Sequence, residues 1–426
     1  MKLIYKNSSQ LSDKEILKIA KPLKNYVTHL QKVAKENNYE AWESSINLSF
    51  DKNLAEAVTD LVQRKVSDEL QYVVVVGIGG SNLGTKAIYD CQHGHFDLLE
   101  ESRFPKMIFV DTTDGEYAEK LEKLIKTLNN PHELLVNVVC KSGTTTEVIA
   151  NAEFILKVLV EYFGDEAFSR VVVTADNESD LYKLAEEKGI DVLEIPKKVG
   201  GRFSVLSAVG LFPLAAVGID VDNLREGARE IRKACLDEDV LKNPAIISAA
   251  ILFSHYKAGK IINDNFVFNP KLESLGKWYR QLMGESIGKN SVGFFPTVSV
   301  GSIDLHSVGQ LYLGDSKNQI TTFIYSESSS KAGVSKNQIF PELIKGIKGK
   351  SFAEITEAIF KGVKVAYVKH EIPFMEVELE NLETSSVGEF LQFKMMEMMY
   401  LAKLLDVNAF DQPNVESYKA EVRKIL

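Results

Sequence analysis

The stretch VVVVGIGGSNLGTK (73–86) runs from a β-branched apolar segment through a glycine-rich turn into a helical pattern. Glycines allow positive φ and close backbone approach, and the free amides of a helix start favour an anion. Two familiar phosphate loops fit it incompletely. The dinucleotide spacing G-x-G-x-x-G is met by Gly77 and Gly79 but has Asn82 in third place. The nucleotide spacing G-x-x-x-x-G-K-[ST] is met by Gly79 and Gly84, but Thr85 and Lys86 stand in reversed order. The motif alone therefore implies a phosphate or carboxylate group at a strand–helix turn, against a plainer alternative of a turn needed only for packing. VVCKSGTTTEVIA (138–150) repeats the theme with hydroxyls, placing Ser142, Thr144, Thr145 and Thr146 where a helix starts. One hydroxyl suffices to cap a helix, worth about 1 kcal/mol. Four within five residues suit the several acceptor oxygens of a phosphate monoester.

Four further side chains have types that could do chemistry. Arg202, in GGRFS (200–204), follows two glycines and precedes a long apolar helix, where a cation could stabilise a developing oxyanion; a salt bridge at a domain edge is the plainer role. Glu285 falls on the apolar stripe of LESLGKWYRQLMGESIGKN with Trp278 and Leu282 at i, i+4, i+7. Burial there would raise its pKa towards the range of a general base, whereas pairing with Lys277 or Lys289 would make it structural. His306 sits between Asp304 and Ser307 in a polar turn, and could transfer a proton or simply lie on the surface. Lys419 shares a helical face with Val415, Val422 and Leu426, which predicts a lysine on the packed side, its stem free to snorkel outward.

The elements that must position these residues are legible in outline. The first 60 or so residues read as amphipathic helices. YVVVV (72–76), MIFVD (107–111), LLVNVVC (134–140), VVVTA (171–175) and DVLEI (191–195) are uniformly apolar runs separated by helical patterns. Strands buried on both faces look like this, so a doubly wound parallel sheet is expected, ending near Ile195. NFVFN (265–269), TTFIYS (321–326) and FMEVEL (374–379) suggest a second α/β unit, and the tail from Glu383 returns to helix, with a core-filling MMEMM cluster (395–399). The two anion-suited turns then lie at the carboxyl ends of strands, where open α/β sheets bind ligands. Together they favour a phosphorylated small molecule.

Composition narrows the classes. The chain has 426 residues, 45% hydrophobic and 26% charged, as expected of a globular protein of two or three domains. A net charge of −9 argues against a general nucleic-acid binder. Cys91, Cys140 and Cys235 are too scattered for a disulfide framework or a clustered metal site. The N-terminus lacks the apolar core of a secretory signal, and FSVLSAVGLFPLAAVGI (203–219) falls short of a membrane span and reads as a buried core helix. A cytoplasmic protein without membrane or nucleic-acid partners is expected.

In family order, GIGGSNLG, KSGTTTE, VGGRFS, the GES of MGESIGK, SIDLHS and FDQPNVESYK closely resemble the phosphoglucose isomerase family in its shorter bacterial form, from about Gln71 to Leu426. The resemblance implies an α/β fold of two doubly wound sugar-isomerase (SIS) type domains with parallel sheets, flanked by N- and C-terminal helical arms. The corresponding boundaries are residues 1–60, 61–215, 216–382 and 383–426, the last completing the active site. It implies an aldose–ketose isomerase interconverting glucose 6-phosphate and fructose 6-phosphate, the step shared by glycolysis and gluconeogenesis, with no metal or organic cofactor. By motif, Glu285 would move a proton between C1 and C2 through a cis-enediol and Arg202 would stabilise the enediolate. His306, offered by the partner of a homodimer, and Lys419 would open and close the ring. Gly80, Ser81, Ser142, Thr144, Thr145 and Gly201 would line the substrate with Gln412, the hydroxyls holding the phosphate.

Three places depart from the family pattern: Cys140 stands where serine is common, Lys197 and Lys198 precede VGGRFS where acidic or small residues are usual, and Asn414 replaces a glycine, whose positive φ asparagine tolerates. Two competing readings predict different behaviour. A non-enzymatic sugar-phosphate sensor would keep the phosphate turns without needing Glu285, Arg202, His306 and Lys419 together. A nicotinamide-dependent dehydrogenase, motivated by Gly77, Gly79 and Asp111, would bind the dinucleotide.

Overall fold

A computed structural model of the chain describes residues 1–314 and 317–426. Two compact units emerge, one formed by residues 28–232 and the other by residues 1–27 with 233–426. Among the described residues, ten strands build them: β1 (Lys2–Ile4), β2 (Tyr72–Val76), β3 (Lys106–Val110), β4 (Leu134–Val139), β5 (Val171–Ala175), β6 (Asp191–Glu194), β7 (Ile262–Val267), β8 (Phe295–Val300), β9 (Gln319–Ser326) and β10 (Phe374–Leu379).

In the unit of residues 28–232, all strands run parallel in the order β3-β2-β4-β5-β6. The apolar runs of the sequence are these strands, and β4 and β5 are buried at every position. Asn137, the one polar interruption of β4, accepts a 2.9 Å hydrogen bond from Thr174 on β5. Because β2 is flanked by β3 on one side and β4 on the other, the sheet reverses its winding there. In open α/β sheets, ligands bind beyond the carboxyl ends of the strands at such a reversal, here those of β2 and β4. The long uncharged run supplies the helix Ala208–Ala216, apolar all round and buried at every position but Ala215.

In the other unit the order is β1-β10-β9-β7-β8, parallel except for β1, which pairs antiparallel with β10 (Lys2 opposite Glu378). Its sheet carries an aromatic core of Phe266, Phe268, Phe323, Phe360 and Phe374. The helix Thr384–Leu405 is buried along most of its length, and Met395, Met396, Met398 and Met399 fill the core as their composition suggested. Two strands escape a reading by apolar runs. β1 has three residues, and β8 (FPTVSV) mixes Pro296 with Thr297 and Ser299. In the same sheet, β7 begins at Ile262, not Asn265, because Asn263, Asp264 and Asn265 are buried in it. Buried polar side chains on a central strand are tolerated where each finds a partner: Thr297 Oγ1 and Ser299 Oγ donate to Asp264 Oδ1 at 2.6 and 3.0 Å, and Asn263 Nδ2 donates to Thr322 Oγ1 at 3.2 Å.

Candidate active site

The glycine-rich turn follows β2 directly. Gly79 takes φ 58°, a region that side chains disfavour, and a tight helical turn Gly79–Ser81 leads into the helix Leu83–His93. Beyond β4, Gly143 takes φ 69° and the helix Thr146–Phe163 begins. The hydroxyls here are not spent on capping: the N-cap residue Thr145 makes no side-chain capping bond. Ser142 Oγ instead receives Thr144 N at 3.3 Å and Thr144 Oγ1 at 3.4 Å, and both side chains are exposed. Cys140, two residues earlier, is buried, its Sγ 4.0 Å from Ser142 Oγ.

A third turn locks these two together. Gly201 packs against Gly80, and Lys141 Nζ donates to the carbonyls of Lys197 and Val199 at 2.5 and 2.9 Å. Burial pushes the Lys141 ammonium below its ordinary value, only partly opposed by the charge of Asp176. The locked turn carries Arg202, which is 2% exposed and lies with its guanidinium carbon 5.4 Å from the centre of the Phe203 ring. Arg202 is thus an interior cation, not a residue at an exposed edge. Lys141 is a member of this cluster that sequence reasoning passed over, because a lysine before SGTTT gives no sign that its ammonium will turn back to a distant carbonyl. On the same side of the sheet, Asn82 Nδ2 donates to Asp111 Oδ2 at 3.3 Å, so the acid that a dinucleotide site would turn towards a ribose is engaged by the turn itself.

In the other unit, Glu285 lies near the end of the helix Glu273–Ile287, half-buried among the core residues Trp278 and Leu282. The two lysines that flank it in sequence are engaged by other carboxylates, Lys277 by Glu273 and Lys289 by Asp411, each at 2.6 Å. Gln281, one turn back on the same face, donates Nε2–H to Glu285 Oε1 at 2.9 Å. An amide donor fixes the carboxylate without neutralising it, and the i, i+4 spacing was visible in the sequence although its meaning was not.

His306 is exposed at the end of the tight turn Ile303–His306, which Asp304 ties to the end of β8 by accepting Val300 N at 2.7 Å. The end of the helix that carries Glu285 and the turn that carries His306 flank opposite ends of that strand. A Cβ built on Gly284 would lie 3.8 Å from Pro296, near the start of β8, while His306 follows its last residue. The interval from Pro296 to Val300 amounts to about 13 Å of strand.

Gln412 is exposed and stands at the start of the helix Pro413–Ile425, and Lys419 Nζ donates to Glu416 Oε1 at 2.9 Å on that helix. The face shared by Val415, Lys419, Val422 and Leu426 is not packed as its spacing predicted. The helix buries none of its residues, and Leu426 is 85% exposed. Apolar periodicity fixes a face, but a neighbour must be present to bury it.

A family model described as phosphoglucose isomerase matches residues 51–315. The chain belongs to the phosphoglucose isomerase family. Relatives in this family extend the match over most of the chain. A glucose-6-phosphate isomerase of Fusobacterium nucleatum is 33% identical over 398 residues, 92% of this chain and 87% of the relative. One of Methanocaldococcus jannaschii is 33% identical over 347 residues, 82% of each. Among solved structures, a hypothetical protein of Thermus thermophilus superposes with a TM-score of 0.87 at 27% identity, covering 99% of both chains. A glucose-6-phosphate isomerase of Chlamydia trachomatis shares the fold with a TM-score of 0.70 at 21% identity, over 90% of this chain and 74% of the other. Phosphoglucose isomerase relationship and α/β architecture thus agree with what the ordered motifs implied. Among the described residues, no helix is long and apolar enough to cross a membrane.

Proposed function

We propose that this chain interconverts glucose 6-phosphate and fructose 6-phosphate as an aldose–ketose isomerase. The observation that carries the reading is the reversal of the sheet between β2 and β4, which two turns rich in amides and hydroxyls flank and to which a third, bearing Arg202, is locked. A phosphate is a dianionic handle distant from the reacting carbons, and binding it lets remote interaction energy position those carbons. Ser81, Ser142, Thr144 and Thr145, with the backbone at Gly80 and Gly201, are assigned to that handle, and Gln412 to the sugar.

On the open-chain aldose, Glu285 takes the proton from C2 as the electron pair moves to the C1 oxygen, giving a cis-enediolate. Once the O2 hydroxyl proton has passed to the C1 oxygen, returning the carbon-bound proton to C1 moves the carbonyl to C2 and completes the ketose. A carboxylate oriented by the Gln281 amide suits this work, since a neutral donor steadies it without taking its charge. Arg202 stabilises the enediolate, an assignment supported by its burial, since a cation acts most strongly on developing charge away from water. His306 and Lys419 exchange protons between the ring oxygen and the C1 hydroxyl in opening the cyclic substrate.

His306 is assigned to the site of a second copy in a homodimer. The strand-length separation between Glu285 and His306 within one chain supports this, as does the exposure of His306. The enzyme is placed in the cytoplasm, where sugar phosphates are metabolised. An assay of purified protein coupling fructose 6-phosphate conversion to glucose 6-phosphate detection tests the reading. Turnover without added metal and undiminished by chelator is expected; no turnover would overturn it.

A further inference from the structure

Lys289 leaves the helix of Glu285 after a single turn of chain. Gly288 ends the helix, and Lys289 is held by backbone bonds with Val292 (N to O at 3.1 Å, O from N at 2.8 Å), so its Cα has a fixed relation to Glu285 four residues earlier. The side chain is 6% exposed. It crosses to the segment after the helix Thr384–Leu405, where Nζ donates to the carbonyl of Asn408 and, at 2.6 Å, to Asp411 Oδ1. Asp411 immediately precedes Gln412, and Gln412 opens the helix that carries Lys419.

The bond is unusual in its economy. Residues 406–412 are a short connection between two helices, and the second helix buries none of its residues, so packing does not set its direction. A buried ammonium with two directed acceptors does. An ion pair with one partner enclosed is stronger than a surface pair, and its loss leaves a charge without compensation.

We propose that Lys289 is a positioning residue: by clamping Asn408 and Asp411 it couples the helix of the base Glu285 to the segment that presents Gln412 and Lys419, so that proton transfer and ring opening address one substrate. The inference rests on the roles assigned above to Glu285, Gln412 and Lys419. Nothing in it requires Lys289 to touch the sugar.

The test compares Lys289→Met, Asp411→Ala and the double variant on two substrates. One is fructose 6-phosphate; the other is its 5-deoxy analogue, which lacks the hydroxyl that closes the ring. Misplacing a catalytic segment by about 1 Å costs roughly tenfold to a hundredfold. Each single variant is expected to lose activity in that range on fructose 6-phosphate and several-fold less on the analogue. The double variant is expected to lose no more than the worse single one, because both act through one contact. Asp411 is half-exposed, so Asp411→Ala reports on the clamp even where Lys289→Met folds poorly. Additive losses, equal losses on both substrates, or a lowered melting temperature with unchanged turnover would each overturn the proposal. Lys419→Met serves as a control for the reading beneath it. If that variant treats the two substrates alike, the ring-opening role of Lys419 fails, while the non-additivity of Lys289 and Asp411 still decides the clamp.

Discussion

Gly80 and Gly201 meet backbone to backbone. A Cβ built on Gly80 would stand 2.2 Å from the carbonyl carbon of Gly201 and 2.4 Å from its oxygen, distances that no rotamer change can relieve. The contact brings the turn after β2 against the turn of Arg202, so the phosphate-suited amides and the interior cation are placed by a single close approach. Gly80→Ala is therefore expected to push the two turns apart, costing about 1–3 kcal/mol of stability and a larger share of activity. Gly115→Ala, where a Cβ meets nothing within 4 Å, is the matched control and should be within about 0.5 kcal/mol of wild type. Urea denaturation and turnover of the two variants side by side check this; equal behaviour would show that the close approach carries no weight.

Glu285→Gln removes the proposed base while keeping the shape of the side chain. Its kcat should fall by about 10² to 10⁴-fold with KM little changed, since the loss is confined to proton transfer. Release of tritium from C2-labelled sugar into water should fall in step. Exchange at the wild-type rate would assign the proton transfer to another group.

The exposed hydroxyls of Ser142 and Thr144 are assigned to the phosphate. Hydrogen bonds to charged groups contribute about 1.5–3 kcal/mol each. Replacing either by Ala should raise KM for fructose 6-phosphate about tenfold or more, and weaken competitive inhibition by inorganic phosphate in parallel. A change in kcat with KM and phosphate inhibition unmoved would contradict the assignment.

Lys394 and Glu397 form an ion pair wholly enclosed in the unit of residues 1–27 and 233–426, at 2.8 Å, with Ser248 Oγ donating to Glu397 Oε2 at 2.6 Å and the Tyr279 hydroxyl donating to its other oxygen. Breaking such a pair strands a buried charge. Lys394→Met should cost about 3–5 kcal/mol, and Lys394→Met with Glu397→Gln should recover part of it. Urea denaturation measures both, and a single-variant cost below about 1 kcal/mol would refute the expectation.

Burial within the sheet of β7 and β8 pushes the Asp264 carboxyl up, aided by the charge of Asp304 and opposed by the Thr297, Ser299 and Tyr312 hydroxyls. A carboxyl raised in the fold above its unfolded value of about 3.9 contributes stability that is complete below that pH and is lost as pH rises through the folded value. Asp264→Asn, which cannot ionise, lacks that loss. Melting temperatures from about pH 4 upward should therefore fall in the wild type relative to the variant. Parallel curves would mean that Asp264 titrates alike in both states.

The sequence determined by itself whatever depends on neighbours along the chain. Uniform β-branched runs can only be strands covered on both faces, which is why β2, β4 and β5 were legible. Glycines and hydroxyls between a strand and a helix mark an anion-suited turn, and the order of the motifs carried the family. β8 was hidden because Thr297 and Ser299 look like solvent-facing residues until Asp264 is found beside them on β7. The tertiary structure alone decided that Arg202 is interior, that Lys141 and Lys289 spend their charges on carbonyls and a carboxylate far away in sequence, and that the helix of Lys419 buries none of its residues. Each of these depends on which segments meet in space, and spacing along one element holds no information about what faces it.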